Sequence, residues 1–191
     1  MTKFLNLAEI RECTESEGPG KRFALWCQGC RKRCPGCCNT HMQPLEKLHI
    51  VSADDVIELI RKSQQVNNIE GVSFIGGEPM LQAQGLSEIA KWCHENNLTV
   101  LVFTGYLLEE LKTVDDKDIN DLLNNIDLLV DGPYVQELYD TERDWIGSKN
   151  QCLHFLTDKY KPGIEKYCNE HSVEFIVDNT EVQVNGWPIK L

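Results

Sequence analysis

Five of the nine cysteines of this chain lie within the twelve residues 27–38, which read Cys-Gln-Gly-Cys-Arg-Lys-Arg-Cys-Pro-Gly-Cys-Cys. Such a segment can hold zinc, form a redox-active pair or wrap an iron–sulfur cluster. Zinc modules usually separate two CxxC pairs by about a dozen or more residues, and three residues intervene here. A redox-active CxxC pair would leave the second pair unexplained. The third interpretation is a cubane cluster held by Cys30, Cys34 and Cys37, which leaves one iron without a protein ligand.

The spacing Cys30-x3-Cys34-x2-Cys37 resembles the signature of the radical S-adenosylmethionine superfamily. The resemblance implies two cofactors, a [4Fe-4S] cluster and S-adenosylmethionine, whose amino and carboxylate groups bind the open iron. In that superfamily an electron from the cluster breaks the bond between the sulfonium and the 5′ carbon, and the resulting radical takes hydrogen from a substrate. At the position of Cys38 the superfamily commonly has an aromatic residue that contacts the adenine. A contact made by the backbone at this position would remain possible with cysteine.

A second motif, Gly76-Gly77-Glu78-Pro79, follows an apolar stretch that predicts a strand. Alone it is compatible with a plain turn, because Gly-Gly and Glu-Pro are turn-forming pairs. Together with the cysteine spacing it resembles the GGEP motif of the radical enzymes. There the glycines let the backbone approach the ligand closely, and the segment receives the methionine amino group.

The elements that must position these motifs alternate between strand and helix. We predict strands at 22–26, 72–75, 98–103 and 127–130, and helices after Ser52, around 86–93 and within 115–125. This alternation indicates an α/β fold with a parallel sheet and right-handed crossovers, which binds ligands at the carboxyl ends of its strands. Both motifs, Thr104-Gly105-Tyr106 and Asp131-Gly132-Pro133 all follow predicted strands, so one shared site is expected. Near the end, 173–177 and 181–184 predict a C-terminal hairpin.

The resemblance narrows to glycyl-radical enzyme activases, and within them to the anaerobic ribonucleotide reductase activating proteins. The similar segments run from about Ser16 to Gln151 and are 16–22, 30–39, 104–106, 129–132 and 147–151. This resemblance implies a partial (β/α)6 barrel with mostly parallel strands. It also implies that Asn39 and Asp131 lie near the bound S-adenosylmethionine, and Thr104 is a further candidate. A strand-end turn for Asp131 and ordinary packing for Thr104 are the structural alternatives.

The function implied by the resemblance is that of an oxidoreductase that takes hydrogen from a glycine Cα of a partner enzyme. A flavodoxin- or ferredoxin-type protein would supply the electron. The basic run Arg31-Lys32-Arg33 is either a solvated loop or an attraction for such an acidic protein. Two alternatives stay open: a radical enzyme that modifies a peptide or small molecule, and a non-catalytic module that binds zinc or an iron–sulfur cluster.

The composition limits the other possibilities. The 191 residues suit one domain, 1–191, with 41% hydrophobic content. A net charge of −11 disfavours nucleic acid as the primary partner. The sequence has no apolar run near the ~18–20 residues of a membrane span and no apolar signal core after Met1. We therefore expect a cytoplasmic protein, where thiols remain reduced and clustered cysteines indicate a metal site.

Overall fold

A seven-stranded mixed sheet carries the predicted motifs in the computed structural model, which describes residues 2–166, 173–177 and 182–186. Its strands are β1 (Phe4–Thr14), β2 (Arg22–Cys27), β3 (His49–Ser52), β4 (Gly71–Gly76), β5 (Thr99–Phe103), β6 (Leu128–Asp131) and β7 (Cys152–Phe155). Their order in space is β3-β1-β2-β4-β5-β6-β7. The four central strands β2, β4, β5 and β6 are parallel, whereas β1, β3 and β7 pair antiparallel at the two sides.

The helices are α1 (Ala53–Asn67), α2 (Ala83–Glu95), α3 (Leu108–Thr113) and α4 (Lys117–Leu123). The predicted start of α1 is confirmed, because Ser52 Oγ accepts the Asp55 N–H at 3.0 Å as an N-cap. The four predicted central strands and the helices around 86–93 and within 115–125 are likewise present. None of the helices in the described ranges is long and apolar enough to cross a membrane.

All four helices pack on one face of the sheet. Side chains such as Phe23, Leu25 and Phe74 point to this face and share a buried core with α1 to α4. The opposite face carries two smaller clusters, one around Trp26 and one around Leu101. Because successive residues of a strand point to opposite faces, each strand residue can be assigned to the helix-covered face or to the opposite face. Within the described residues no pairing joins β3 to β7, so the sheet is open.

The sheet also contains strands that the sequence patterns did not predict. β1 begins with alternating burial at Leu5 and Leu7, but its register with β2 shifts between Leu7 and Glu9. Such an irregularity moves the following side chains to the other face and interrupts the period-two pattern. The short strands β3 and β7 have four residues each, too few for a periodic signal.

The predicted C-terminal hairpin is present as β8 (Val173–Val177) paired antiparallel with β9 (Val182–Gly186). Its connecting turn at 178–181 lies outside the described residues. The Glu174 carboxylate accepts the Thr14 hydroxyl at 2.7 Å and the Glu15 N–H at 2.8 Å. Thr14 pairs with Arg22, the first residue of β2. The hairpin is therefore anchored near the amino ends of the parallel strands.

The amino ends of the parallel strands are tied together by one buried side chain, that of Arg22. Its Nε donates to Ser73 Oγ at 2.7 Å, and its Nη1 donates to Thr99 Oγ1 and to the Tyr160 hydroxyl, both at 3.2 Å. Its Nη2 donates to the Val72 carbonyl at 2.5 Å. These bonds connect β2, β4 and β5 with the segment after β7.

Candidate functional site

The three candidate ligand cysteines lie in one loop that leaves the carboxyl end of β2. Cys30 is buried, and Cys34 and Cys37 are half-buried. All eight cysteines in the described ranges are free thiols. The thiols of Cys30 and Cys37 are near enough to add to the pKa of Cys34, which burial raises first. The loop therefore brings the three cysteines into one electrostatic neighbourhood.

Cys27, in contrast, does not belong to this group. It is the last residue of β2 and points to the helix-covered face, where it is fully buried in the main core. Burial raises the pKa of this thiol strongly, so it stays protonated. Cys27 is therefore a structural thiol of the core.

The pKa shifts of two candidate ligands differ in sign, because burial keeps the pKa of Cys34 raised whereas that of Cys37 is lowered. Cys37 accepts from the Cys38 thiol, the Asn39 N–H and the Gln43 side chain, and these bonds lower its pKa to about 6 against the effect of burial. The Tyr134 N–H donates to Cys34. Thiolates are the form that binds iron, so three thiols on one loop suit an iron–sulfur cluster in chemical type. Within the described residues, however, no three His, Cys, Asp or Glu side chains lie together as a ready metal site, and the ligand roles of Cys30, Cys34 and Cys37 stay a prediction.

Backbone hydrogen bonds close the base of the cysteine loop. Gly29 N–H donates to the Met42 carbonyl at 2.8 Å, and Cys30 N–H donates to the Gln43 carbonyl at 3.0 Å. These two bonds join the start of the loop to the 3₁₀ turn at Thr40–Met42 that follows it. Asn39 is the residue before this turn. The structure thus holds Cys38 and Asn39, both candidate cofactor contacts, beside the candidate ligand cysteines.

The Gly-Gly-Glu-Pro segment packs directly on this loop. Gly77 N–H donates to the Cys27 carbonyl at 2.7 Å, and Glu78 N–H donates to the Gly29 carbonyl at 2.9 Å. A Cβ added at Gly77 would lie 2.4 Å from the Gly29 oxygen, and Gly76 has φ +100°. Glycine is therefore required at both positions to join the carboxyl ends of β2 and β4. Their predicted contact with the cofactor stays a prediction.

Glu78 links this segment to the next strand end. Its buried carboxylate accepts the Thr104 hydroxyl at 2.7 Å, the Gly105 N–H at 2.9 Å and the Met80 N–H at 3.0 Å. Burial raises the pKa of Glu78, and these hydrogen bonds oppose that shift. The predicted neighbours Glu78 and Thr104 thus come together, and Pro79 begins the 3₁₀ turn that follows.

Asp131 occupies the carboxyl end of β6, and its side chain meets α3. Its Oδ2 accepts the Leu108 N–H at 2.7 Å and lies 2.9 Å from His154 Nε2. Asp131 shares the face of Leu129, which belongs to the helix-covered core. Its Oδ1 is buried and has no hydrogen-bond partner among the described residues. The contact predicted between Asp131 and S-adenosylmethionine would have to use Oδ1.

Two contacts with the cysteine loop were not predicted from the sequence. The turn after β6 supplies the Tyr134 N–H to Cys34 and the Gln136 side chain, against which a Cβ at Gly36 would clash. Gln151 supports this turn, because its Nε2 donates to the Gly132 carbonyl at 3.0 Å. In the sequence, the contact of Gln151 with this turn was indicated by the family resemblance of residues 147–151.

Lys32 in the cysteine loop forms a further contact that was not predicted, with Tyr106. Its ammonium lies 4.0 Å from the centre of the Tyr106 ring and 3.8 Å from Glu110. Arg31 and Arg33 remain exposed on either side of it. Between the candidate ligands Cys30 and Cys34, the basic run therefore has one cation held by contacts and two that face solvent.

Comparison with known proteins points to the same segment of the chain. Residues 16–154 match the family model described as "4Fe-4S single cluster domain". Curated relatives named anaerobic ribonucleoside-triphosphate reductase-activating protein include one from Escherichia coli K12, 34% identical, with 73% of this chain and 91% of the relative covered. The Vibrio cholerae relative has the same identity and coverage, and the bacteriophage T4 relative is 28% identical, covering 81% and 96%.

Among solved structures, QueE from Escherichia coli is similar over 55% of this chain and 53% of that chain. The sequence identity is 18% and the TM-score is 0.43. This likeness is weak.

Proposed function

We propose that this chain, which belongs to the family of anaerobic ribonucleoside-triphosphate reductase-activating proteins, is a radical S-adenosylmethionine enzyme that generates a glycyl radical on a partner enzyme. The observation that carries the proposal is the arrangement of Cys30, Cys34 and Cys37. They lie in one loop at the carboxyl end of β2, within the segment that matches the 4Fe-4S single cluster domain.

The proposed cofactors are a [4Fe-4S] cluster held by these three cysteines and S-adenosylmethionine bound beside it. When bound, they supply a reductive cleavage that gives methionine and the 5′-deoxyadenosyl radical, which removes a hydrogen from a glycine Cα. We place S-adenosylmethionine against Gly76, Gly77, Glu78 and Pro79. The further contacts that we propose for it are Cys38, Asn39, Thr104 and Asp131.

The chain's own residues orient these groups and exclude water. Gly77 and Glu78 fix the GGEP backbone on the cysteine loop, so its close approach to a ligand is set before binding. Glu78 holds Thr104 and Gly105 at the end of β5 and leaves no mobile carboxylate there. Lys32 covers Tyr106 and Gly105 from the solvent side. A dry, prearranged pocket protects a radical from side reactions.

We further propose that the open sheet is the wall of a partial (β/α)6 barrel and that residues 1–191 form a single domain. The one-sided layer of helices supports the barrel, because the opposite face of β2, β4, β5 and β6 packs against loop residues such as Met42 and Ile146 and not against helices. The free thiols support a reducing compartment, which is the cytoplasm in our proposal.

Two proteins would then dock on this chain. The first is the glycyl-radical enzyme, proposed from the activating function in the names of the relatives. The second is an acidic flavodoxin- or ferredoxin-type electron donor, for which the exposed Arg31 and Arg33 offer positive charge beside the cluster loop. Reduction by such a donor should slow as salt concentration rises, whereas a donor rate independent of salt would contradict this docking.

The function is tested under anaerobic conditions. The reconstituted protein is reduced with dithionite, mixed with S-adenosylmethionine and followed by electron paramagnetic resonance and by 5′-deoxyadenosine formation. We expect a cluster signal that S-adenosylmethionine perturbs, and a glycyl-radical signal after addition of an anaerobic ribonucleotide reductase. Cys30→Ala, Cys34→Ala and Cys37→Ala should each lose the cluster signal, 5′-deoxyadenosine formation and the glycyl-radical signal. Cys152→Ala, an exposed cysteine on β7, is the matched control.

Two other results would change the proposal. 5′-Deoxyadenosine without a glycyl radical on the reductase would favour a peptide or small molecule as the substrate. A protein without iron, or with a cluster indifferent to S-adenosylmethionine, would leave a non-catalytic metal-binding module.

A further inference from the structure

The three basic side chains at 31–33 in the cysteine loop point in different directions. Arg31 and Arg33 are exposed, whereas the side chain of Lys32 is 27% exposed and turns toward the end of β5. Its ammonium lies 4.0 Å from the centre of the Tyr106 ring. A cation within about 6 Å of the face of an aromatic ring is attracted by the negative charge of that face. The middle of the cysteine loop is therefore in contact with a second segment of the chain.

The ammonium of Lys32 has a second neighbour on α3. Its Nζ lies 3.8 Å from Glu110 Oε2, and the Glu110 side chain is 52% exposed. An ion pair that reaches solvent on both sides contributes little, because water and salt screen it. The Tyr106 ring is therefore the partner that holds Lys32.

Tyr106 is a firm anchor, because its backbone is fixed on both sides. Its N–H donates to Thr104 Oγ1 at 3.2 Å, and its carbonyl accepts the Gly132 N–H at 3.0 Å. Its side chain packs against the main core. Lys32 thus connects the cysteine loop to a part of the sheet edge whose position is set by β5 and β6.

We propose that Lys32 is a positioning residue that clamps the cysteine loop onto Tyr106 and thereby slows the loss of a bound cluster. The inference rests on the proposed ligands Cys30 and Cys34, which lie two residues before and after Lys32. A tethered loop has fewer conformations to lose when its cysteines bind a cluster, so the cluster is held more tightly. Release of iron requires the sulfurs to move away from it, and the clamp restrains that movement.

A clamp and a simple charge effect predict different results at Tyr106. A positive charge near thiolates stabilises their negative charge whether or not the ring is present. Tyr106→Leu removes the ring and leaves the ammonium, so it should matter only if the ring contact holds the loop. Tyr106→Phe keeps the ring, and Lys32→Arg keeps a cation that can lie over it.

The test follows the release of iron from the anaerobically reconstituted protein to an excess of chelator, through the decay of the visible absorbance of the cluster. Lys32→Met, Tyr106→Leu and the double variant are compared with the conservative variants Lys32→Arg and Tyr106→Phe. Lys47→Met, the same exchange at an exposed lysine, is the matched control. Denaturant unfolding of each metal-free variant is measured in parallel and shows which variants fold.

We expect Lys32→Met and Tyr106→Leu each to release iron about fivefold faster than the wild type. The double variant should be no faster than either single variant, because the two changes remove the same contact. Lys32→Arg, Tyr106→Phe and Lys47→Met should release iron at the wild-type rate.

Should Tyr106→Leu fail to fold, Arg31→Met takes its place in the comparison. It removes the same charge from the same loop at an exposed position. The clamp predicts that Arg31→Met releases iron at the wild-type rate, whereas a charge effect predicts faster release in both Lys32→Met and Arg31→Met.

A wild-type rate in Lys32→Met or in a folded Tyr106→Leu would overturn the clamp. So would a double variant that multiplies the two single effects, or equal acceleration in Lys32→Met and Arg31→Met. These results are distinguishable from failure of the proposed function. A wild-type protein that holds no iron after reconstitution would sink the function itself, whereas a stable cluster that is indifferent to these variants would sink only the clamp.

Discussion

The two ends of the parallel strands are built on different chemistry. At the amino ends, the guanidinium of Arg22 is fully buried, and its nitrogens donate to side chains and carbonyls from three neighbouring segments. At the carboxyl ends, glycine backbones pack on a loop of free cysteines, and Asp131 keeps an acceptor without a partner in the described residues. One end satisfies its polar groups internally, and the other leaves groups for a ligand.

The difference shows how one sheet separates stability from function. A buried polar network that is fully satisfied contributes to a unique, rigid packing. Groups kept for a ligand cannot contribute in this way until the ligand binds, so the site depends on its surroundings for its geometry. Substitutions at the amino ends should therefore affect unfolding first, and substitutions at the carboxyl ends should affect cluster binding first.

The largest effect is expected from Arg22→Ala at the amino ends. The change leaves the buried acceptors of Ser73 and Val72 without their donor and opens a cavity, so the free energy of unfolding should fall by on the order of 3 kcal/mol. Denaturant unfolding of the metal-free protein measures this. Arg61→Ala on the exposed surface of α1 is the control and should change stability by less than about 0.5 kcal/mol.

Iron content per folded molecule should stay the same in Arg22→Ala, because the network lies at the opposite end of the strands from the cysteine loop. An Arg22→Ala variant of normal stability, or one that folds normally but holds no iron, would contradict the proposed difference between the amino ends and the carboxyl ends of the strands.

A smaller effect on stability, with a larger one on the cluster, is expected from Gly77→Ala. The added Cβ would lie 2.4 Å from the Gly29 carbonyl oxygen, so the cysteine loop must shift. We expect a loss of about 1–3 kcal/mol in unfolding free energy and a reduced yield of cluster on reconstitution. Both are measured by denaturant unfolding and iron analysis.

Gly105→Ala is the matched control on the same edge of the sheet. Its Cβ would meet the Lys32 side chain at 3.0 Å, which is flexible and can move away, and would lie 3.4 Å from Glu78 Oε2, an ordinary contact distance. The Gly77→Ala and Gly105→Ala variants should therefore differ clearly in iron content. Equal loading of the two variants would mean that close packing of the GGEP backbone on the cysteine loop is not needed for the cluster.

A separate effect, visible only as the pH changes, comes from Glu17, near the amino ends, whose carbonyl accepts the Ser73 hydroxyl. Burial raises the pKa of its carboxyl to about 8, Glu174 and Glu9 add to the shift, and the Gly186 N–H opposes it. The folded chain then keeps a proton that the unfolded chain releases. Stability should fall as pH rises from about 5 to 8.

Denaturant unfolding across that pH range tests the effect. Glu17→Gln should flatten the profile, because the amide does not titrate, whereas Glu12→Gln at an exposed position of β1 should leave it as in the wild type. A profile in Glu17→Gln that falls as steeply as that of the wild type would assign the effect to another group.

Much of the central architecture was predictable because its signals are local. β4, β5 and α2 have strong apolar patterns, and the cap at Ser52 marks the start of α1. The edge strands were not predictable in the same way. The register shift in β1 interrupts its alternation, and β3 and β7 are defined by pairing with neighbours far away in the chain.

The sequence by itself determined the candidate cluster ligands, because Cys30, Cys34 and Cys37 lie on one loop and their spacing fixes which sulfurs can share a cluster. It also determined the GGEP segment and its place after a strand. The tertiary structure decided which distant groups support them: Glu78 holds Thr104, the Tyr134 N–H reaches Cys34, and Asp131 turns toward α3. These contacts depend on strand order, register and the face on which each side chain emerges, and no short stretch of sequence specifies those quantities.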